Sequence, residues 1–137
     1  MIIKKPKLIK YSTYPEFNGT LVPFYVDKSF PREFKLKRYF FLFGKKKYFR
    51  ADHAHKKCSQ IIIPIIGNIK VEITSYKYKK IFNLNLNKKK ALYVPPYNWI
   101  KINFKSNNDS LLTLCNYKYD KKEYILKIED FKKLIKG

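Results

Sequence analysis

Cysteine is scarce: Cys58 and Cys115 are the only two, they form no CxxC pair, and no disulfide framework can be built from them. Each sits in or beside an apolar stretch, where a free cysteine behaves as a small hydrophobe, so neither receives a redox role. Long hydrophobic runs are missing as well. The longest, residues 61–66, contains Pro64 and stops at Gly67, far short of the roughly 18–20 apolar residues a membrane span needs. The first residues, Met1-Ile2-Ile3-Lys4-Lys5-Pro6-Lys7, return to lysine before any apolar h-region develops. No secretory signal is read there, and the expected compartment is the cytoplasm. Arginine is rare: Arg32, Arg38 and Arg50 stand against 28 lysines. The net charge of +21 invites a nucleic-acid partner, but base and phosphate recognition exploits arginine above lysine. Lysine, isoleucine and asparagine supply 54 of the 137 residues, the bias of an A- and T-rich coding sequence. The lysines cluster at expected turns (45–47, 79–80, 88–90, 121–122) instead of along one helix face. We therefore expect no nucleic-acid partner, and a positive surface that concentrates an anionic small substrate.

What is present suits one folded domain over residues 1–137, with 45% hydrophobic and 18% aromatic side chains to bury. Most of the chain reads as short strands. Residues 37–43 are aromatic-rich and stop at Gly44, as a buried strand would. Gln60–Ile66 runs apolar into Gly67-Asn68, and Ile69, Val71 and Ile73 then alternate with Lys70, Glu72 and Thr74, which predicts a hairpin. Residues 81–86, 91–94, 99–104 and 111–114 repeat the rhythm, broken by Pro95-Pro96 and by residues 106–109. So many short strands predict a sandwich or barrel. Only the C-terminus reads as helix, over about residues 120–136. Asp120 with Glu123 resembles a capping box, and Tyr124, Ile128, Phe131 and Ile135 follow at helical spacing.

The only two histidines stand together in Arg50-Ala51-Asp52-His53-Ala54-His55-Lys56. At i and i+2 on a strand they share one face, about 7 Å apart along it, while Asp52 takes the other. From His55 there are four residues to Gln60 and six more to Gly67, a spacing that resembles the first cupin motif, H-x-H-x4-E-x6-G, with Gln60 in place of the acid. Pro95 stands where the second cupin motif has a proline, but Ile100 occupies its histidine position. Two imidazoles and a carboxamide would hold a transition metal weakly. The expectation is a site without metal or other cofactor, in which the histidines do acid–base work.

The sequence further resembles the dTDP-4-oxo-6-deoxyglucose 3,4-ketoisomerases. The segments that carry the resemblance are Gly19-Thr20-Leu21, Lys37-Arg38, Arg50 with His53-Ala54-His55-Lys56-Lys57 and Gln60, Leu92-Tyr93-Val94-Pro95 with Trp99, Tyr119-Asp120 with Tyr124-Ile125, and Asp130-Phe131-Lys132-Lys133. The resemblance implies an all-β cupin jelly-roll barrel with a short C-terminal helix, working as a homodimer on a dTDP-linked 4-keto-6-deoxy sugar. It implies that His53 and His55 move a proton between adjacent sugar carbons. The chain departs from the family pattern at Ala51, where glycine is usual, at Phe40-Phe41, where tyrosines are usual, and at Ile100, where histidine is usual.

The remaining candidates contact substrate. Gln60 could hold the sugar or orient an imidazole, or be an ordinary half-buried amide. Arg38 and Arg50 suit bidentate contact with a diphosphate, and each also fits an ordinary ion pair. Trp99 beside Pro95-Pro96 could wall the thymine, although a single tryptophan in a β-barrel is more often core. In the dimer, the first 30 or so residues are expected to pair with the partner's sheet edge. Two competing functions keep the fold: a sugar-nucleotide 3,5-epimerase, and a non-catalytic sugar-binding cupin.

Overall fold

The structure, a computed structural model, describes residues 2–136. Its strands are β1 (Lys7–Lys10), β2 (Tyr14–Glu16), β3 (Gly19–Leu21), β4 (Arg38–Phe43), β5 (Phe49–His55), β6 (Gln60–Ile66), β7 (Ile69–Thr74), β8 (Lys79–Leu84), β9 (Lys90–Val94), β10 (Trp99–Phe104), β11 (Ser110–Cys115) and β12 (Tyr124–Ile125), followed by one α-helix, α1 (Ile128–Lys136). Two five-stranded antiparallel sheets, ordered β1-β9-β6-β11-β4 and β12-β5-β10-β7-β8, form a jelly-roll sandwich, with β2 and β3 as a separate hairpin. Among the described residues no helix is long and apolar enough to cross a membrane.

Between the sheets lies the main core. Ile62, Leu92, Val94 and Leu111 of the first sheet face Ile69, Val71, Ile73, Phe82, Leu84, Ile100, Ile102 and Phe104 of the second. Each such aliphatic side chain contributes roughly 1.5–3 kcal/mol by leaving water. The outer face of the first sheet is covered by the N-terminal segment, whose Ile9, Tyr11, Phe30 and Phe34 pack on Ile61, Ile63, Ala91, Tyr93 and Leu114. Phe131 of α1 covers the outer face of the second, against Ala54, Trp99 and Ile125.

Four expectations are corrected. The segments flanking Gly67-Asn68 do not form a hairpin: β6 pairs with β9 and β11, β7 with β8 and β10, and the turn carries the chain between sheets. The reason lies in burial. β6 is apolar on both faces and takes the centre of a sheet covered on both sides, whereas β7 alternates and keeps its polar side chains outward. Gly67 turns there at φ +79, and a Cβ would strike the Asp109 carboxylate, itself held by the N–H groups of Lys105 and Ser106.

Second, residues 37–43 are not buried on both faces. β4 is an edge strand with Arg38, Phe40 and Leu42 turned inward and Tyr39, Phe41 and Phe43 exposed. Third, β8 ends at Leu84, and Leu86 opens a 3-10 turn capped by the Asn85 side chain. Fourth, the helix begins at Ile128. Asp120 caps only the short 3-10 turn Lys121–Glu123, and Tyr124 then pairs as a strand residue with His55. Glu123 is drawn into the interior, so it cannot close a capping box.

Candidate active site

β5 delivers both imidazoles through an irregularity. His53 lies opposite Ile100 and Ala51 opposite Lys101, which leaves Asp52 as the extra residue of a bulge. Ala51 (φ 67) and Asp52 (φ 61) both adopt the left-handed conformation, which costs a residue with a Cβ roughly 1–2 kcal/mol. So the bulge forms with alanine, where the family pattern has glycine, bearing its strain. The Asp52 side chain points to the outer face and accepts the Trp99 Nε1–H at 2.9 Å.

His53 and His55 share the inner face, edge to face, with ring centroids 4.9 Å apart. They lean together, closer than the about 7 Å repeat of a regular strand. Tyr124 of β12 completes the cluster, its ring centred 4.3 Å from His55 and 5.1 Å from His53. From the opposite sheet, Arg38 Nη2 donates to the Tyr124 hydroxyl at 3.1 Å, and the guanidinium stacks over Phe40 and Tyr119. The cluster therefore bridges the two sheets at one end of the sandwich core. Among the described residues, Arg38 Nε and His55 Nε2 are buried with no hydrogen-bond partner, an unusual state for buried polar atoms.

A buried carboxylate stands behind the imidazoles. Glu123 is 3% exposed; its Oε2 lies 2.5 Å from His55 Nδ1, and its Oε1 accepts the N–H groups of Lys57 and Cys58, both at 3.0 Å. Burial pushes this carboxyl upward, but the bonds from His55, Cys58 and Lys57 outweigh it and hold it below the usual carboxylate range. His53 is driven down to about 4, first by burial and then by the neighbouring His55. Burial also raises the Tyr124 hydroxyl, against the pull of Arg38.

The other predicted residues scatter. Gln60 is buried on the inner face, where its Nε2 donates to the Cys115 Sγ at 3.7 Å. Cys58 and Cys115 are buried and unpaired by disulfide. Contact with Cys58 holds the Cys115 thiol below its ordinary value, helped by Arg38 and Gln60 against burial. Arg50 is exposed and lines a separate cleft with Tyr48, Phe49 and Phe104, so it does not join Arg38. Trp99 is corrected most: its ring packs under α1 against Phe131 at 5.5 Å, on the sheet face opposite the histidines, and cannot wall a ligand there. As the first residue of β10 it takes the outer row, because Ile100 takes the inner one. Sequence reasoning missed Glu123 as a site residue, since nothing local ties it to a histidine 68 positions away. Among the described residues no three His, Cys, Asp or Glu side chains have metal-ligand spacing.

A jelly roll that turns two imidazoles between its sheets, backed by a buried carboxylate, has the build of a cupin. The chain belongs to the FdtA family (WxcM-like, C-terminal), whose model matches residues 4–136. It is 28% identical over 130 residues to TDP-4-oxo-6-deoxy-alpha-D-glucose-3,4-oxoisomerase of Aneurinibacillus thermoaerophilus, covering 94% of this chain and 91% of that one. Its structure resembles that of QdtA, a sugar 3,4-ketoisomerase from Thermoanaerobacterium thermosaccharolyticum solved with TDP, at a TM-score of 0.88 and 26% identity over 98% and 97% of the two chains. WlaRA, a TDP-fucose-3,4-ketoisomerase from Campylobacter jejuni, is 31% identical over 96% of each chain, with a TM-score of 0.83.

Proposed function

We propose that this chain is an isomerase of the 3,4-ketoisomerase type, converting a dTDP-4-keto-6-deoxyhexose to its 3-keto isomer. The observation that carries the proposal is the imidazole pair, 4.9 Å apart on the inner face, in a chain that matches 3,4-ketoisomerases over 96–98% of its length. Moving the ketone from C4 to C3 requires removal of the acidic C3 proton, an enediol(ate), and proton return at C4, with a further proton passing from the C3 oxygen to the C4 oxygen. The sum is redox-neutral, so proton carriers suffice. His53, unprotonated at neutral pH because burial and His55 depress it to about 4, has the free lone pair a base at carbon needs. His55 is the second proton-exchanging group.

Arg38, half-buried with its Nε out of solvent, is the cation of the site and is assigned to substrate oxygens, with Gln60 buried on the same inner face. Arg50 and Trp99 receive no such assignment, given where they lie. We further propose a single cupin domain that works as a homodimer. Support comes from the exposed Tyr39, Phe41 and Phe43 on the edge strand β4 and from the β2–β3 hairpin, exposed throughout. The β1 strand itself pairs with its own β9, so an exchanged segment would be the hairpin and not the whole N-terminus. Sedimentation equilibrium at micromolar concentration should give a dimer, and a monomer contradicts it. We also propose a cytoplasmic location, which suits a charged nucleotide-linked substrate.

Incubation with dTDP-4-keto-6-deoxyglucose in deuterated water tests the function. Migration of the ketone to C3 with deuterium at C4 is the expected result. Deuterium at C5 with the ketone unmoved would make the protein a 3,5-epimerase, and no labelling or migration would make it a binding cupin.

A further inference from the structure

We propose that Glu123 is the positioning residue of this site: it fixes the tautomer of His55, keeping the ring proton on Nδ1 and presenting Nε2 to the substrate oxygens. The inference rests on the ketoisomerase reading for the identity of those oxygens, but not for the tautomer. Glu123 lies in the 3-10 turn before β12, and its two oxygens meet three donors. Two of these, the N–H groups of Lys57 and Cys58, are backbone groups that can only donate, and both bind Oε1. They pin the carboxylate in one orientation. The other oxygen, Oε2, faces His55 Nδ1 at 2.5 Å, and an ionised oxygen there accepts only if Nδ1 carries the proton. Neutral His55 is therefore held as the Nδ1–H tautomer, with its lone pair on Nε2, the atom that is buried without a partner among the described residues.

The titratable groups around this ring are His53 on β5, Tyr124 on β12 and Glu123 itself, with Arg38 of β4 behind Tyr124 and Cys58 donating its N–H to the same carboxylate. Among the described residues only Glu123 binds a ring nitrogen of His55. In the reaction, Nε2 takes the proton from the C3 hydroxyl as the ketone forms there and returns it to the C4 oxygen, so no net proton is gained or lost. The intervening imidazolium is stabilised by the Glu123 carboxylate.

The substitution Glu123→Gln makes a sharp test. A glutamine has one oxygen, which the two backbone donors claim, so its NH2 group turns to Nδ1 and drives the ring proton to Nε2. The experiment is a 15N imidazole NMR titration of the whole protein without substrate, read beside steady-state kinetics; the chain has only two histidines, and His53→Asn assigns the signals. Wild type should show His55 protonated at Nδ1 when neutral, and Glu123→Gln at Nε2, with kcat lowered roughly 10²–10³-fold and KM changed only a few-fold. Glu123→Asp should keep the Nδ1–H tautomer and recover part of kcat. A wild-type Nε2–H tautomer, or a Glu123→Gln protein with unchanged tautomer or full kcat, overturns the proposal, and the wild-type spectrum decides even if the glutamine variant does not fold. If the tautomer switches as expected while the wild type does not act on the 4-keto sugar nucleotide, the ketoisomerase reading fails and the role of Glu123 in holding His55 stands.

Discussion

The Trp99 indole and the Asp52 carboxylate meet at 2.9 Å on the face of the second sheet that looks away from the imidazoles. Asp52 is the extra residue of the bulge that precedes His53, so the bond holds from outside the backbone turn that aims His53 inward. Trp99→Phe keeps an aromatic ring beside Phe131 but removes both the N–H donor and the volume of the second ring. It should cost about 2–4 kcal/mol in stability, the lost hydrogen bond and the cavity together, lower kcat several-fold through a displaced His53, and leave KM unchanged. Thermal melts and steady-state kinetics check this. A rise in KM alone would instead make Trp99 a substrate contact.

Ala51 bears left-handed strain at φ 67 that glycine would not feel. Ala51→Gly relieves roughly 1–2 kcal/mol of steric cost and gives back roughly 0.4–1 kcal/mol through the looser unfolded chain. The variant should be as stable as the wild type or up to about 1.6 kcal/mol more stable in urea unfolding. A loss of more than 1 kcal/mol, on the order of an ordinary helix or strand glycine penalty, would mean the bulge is not held as described.

His53 also writes a pH dependence into the fold. The unfolded ring binds a proton below its ordinary 6.5, but the folded ring only below about 4. Between these values the unfolded state holds more protons, so stability falls as the pH falls through that window, by up to about 3 kcal/mol in all. The depressed Glu123 carboxyl acts in the same sense, but its loss falls in the carboxylate range at the acid end. Melting His53→Asn beside the wild type at pH 7 and pH 5 should show a smaller drop in the variant, whereas equal drops would contradict the depressed imidazole.

Metal dependence is directly measurable. Gln60 and Ile100 stand where the metal-binding cupin motifs have ligands, and Gln60 already donates to Cys115. Activity should survive exhaustive chelation. Turnover lost on chelation and restored only by a divalent ion would replace the acid–base account.

Periodicity carried the architecture: the alternation of Ile69, Val71 and Ile73 is the buried row of β7, and the His53/His55 spacing puts both rings on one face. What it could not carry was partnership. Gly67-Asn68 looks like a hairpin turn because local spacing cannot say that the doubly apolar β6 needs a different sheet from β7. Glu123 looks like half of a capping box because its real partners, His55 and the N–H groups of Lys57 and Cys58, lie more than 60 positions away. Trp99 looks like a ligand wall because its side of the sheet depends on which of Trp99 and Ile100 turns inward, a register set by pairing with β7. Non-local contacts decide each of these, and each shapes the site more than the fold.

If these two imidazoles carry the protons, kcat on dTDP-4-keto-6-deoxyglucose must fall in both His53→Asn and His55→Asn. Asparagine keeps polarity and similar size but cannot exchange a proton near neutral pH. His53→Asn should lower kcat by about two to four powers of ten, and His55→Asn should lower it too, by less if its task is only the oxygen-side proton. Both variants should melt as folded proteins and bind thymidine diphosphate within a few-fold of wild type. Wild-type turnover in both would leave the chain without an imidazole base, since it has no other histidine, and would contradict the mechanism.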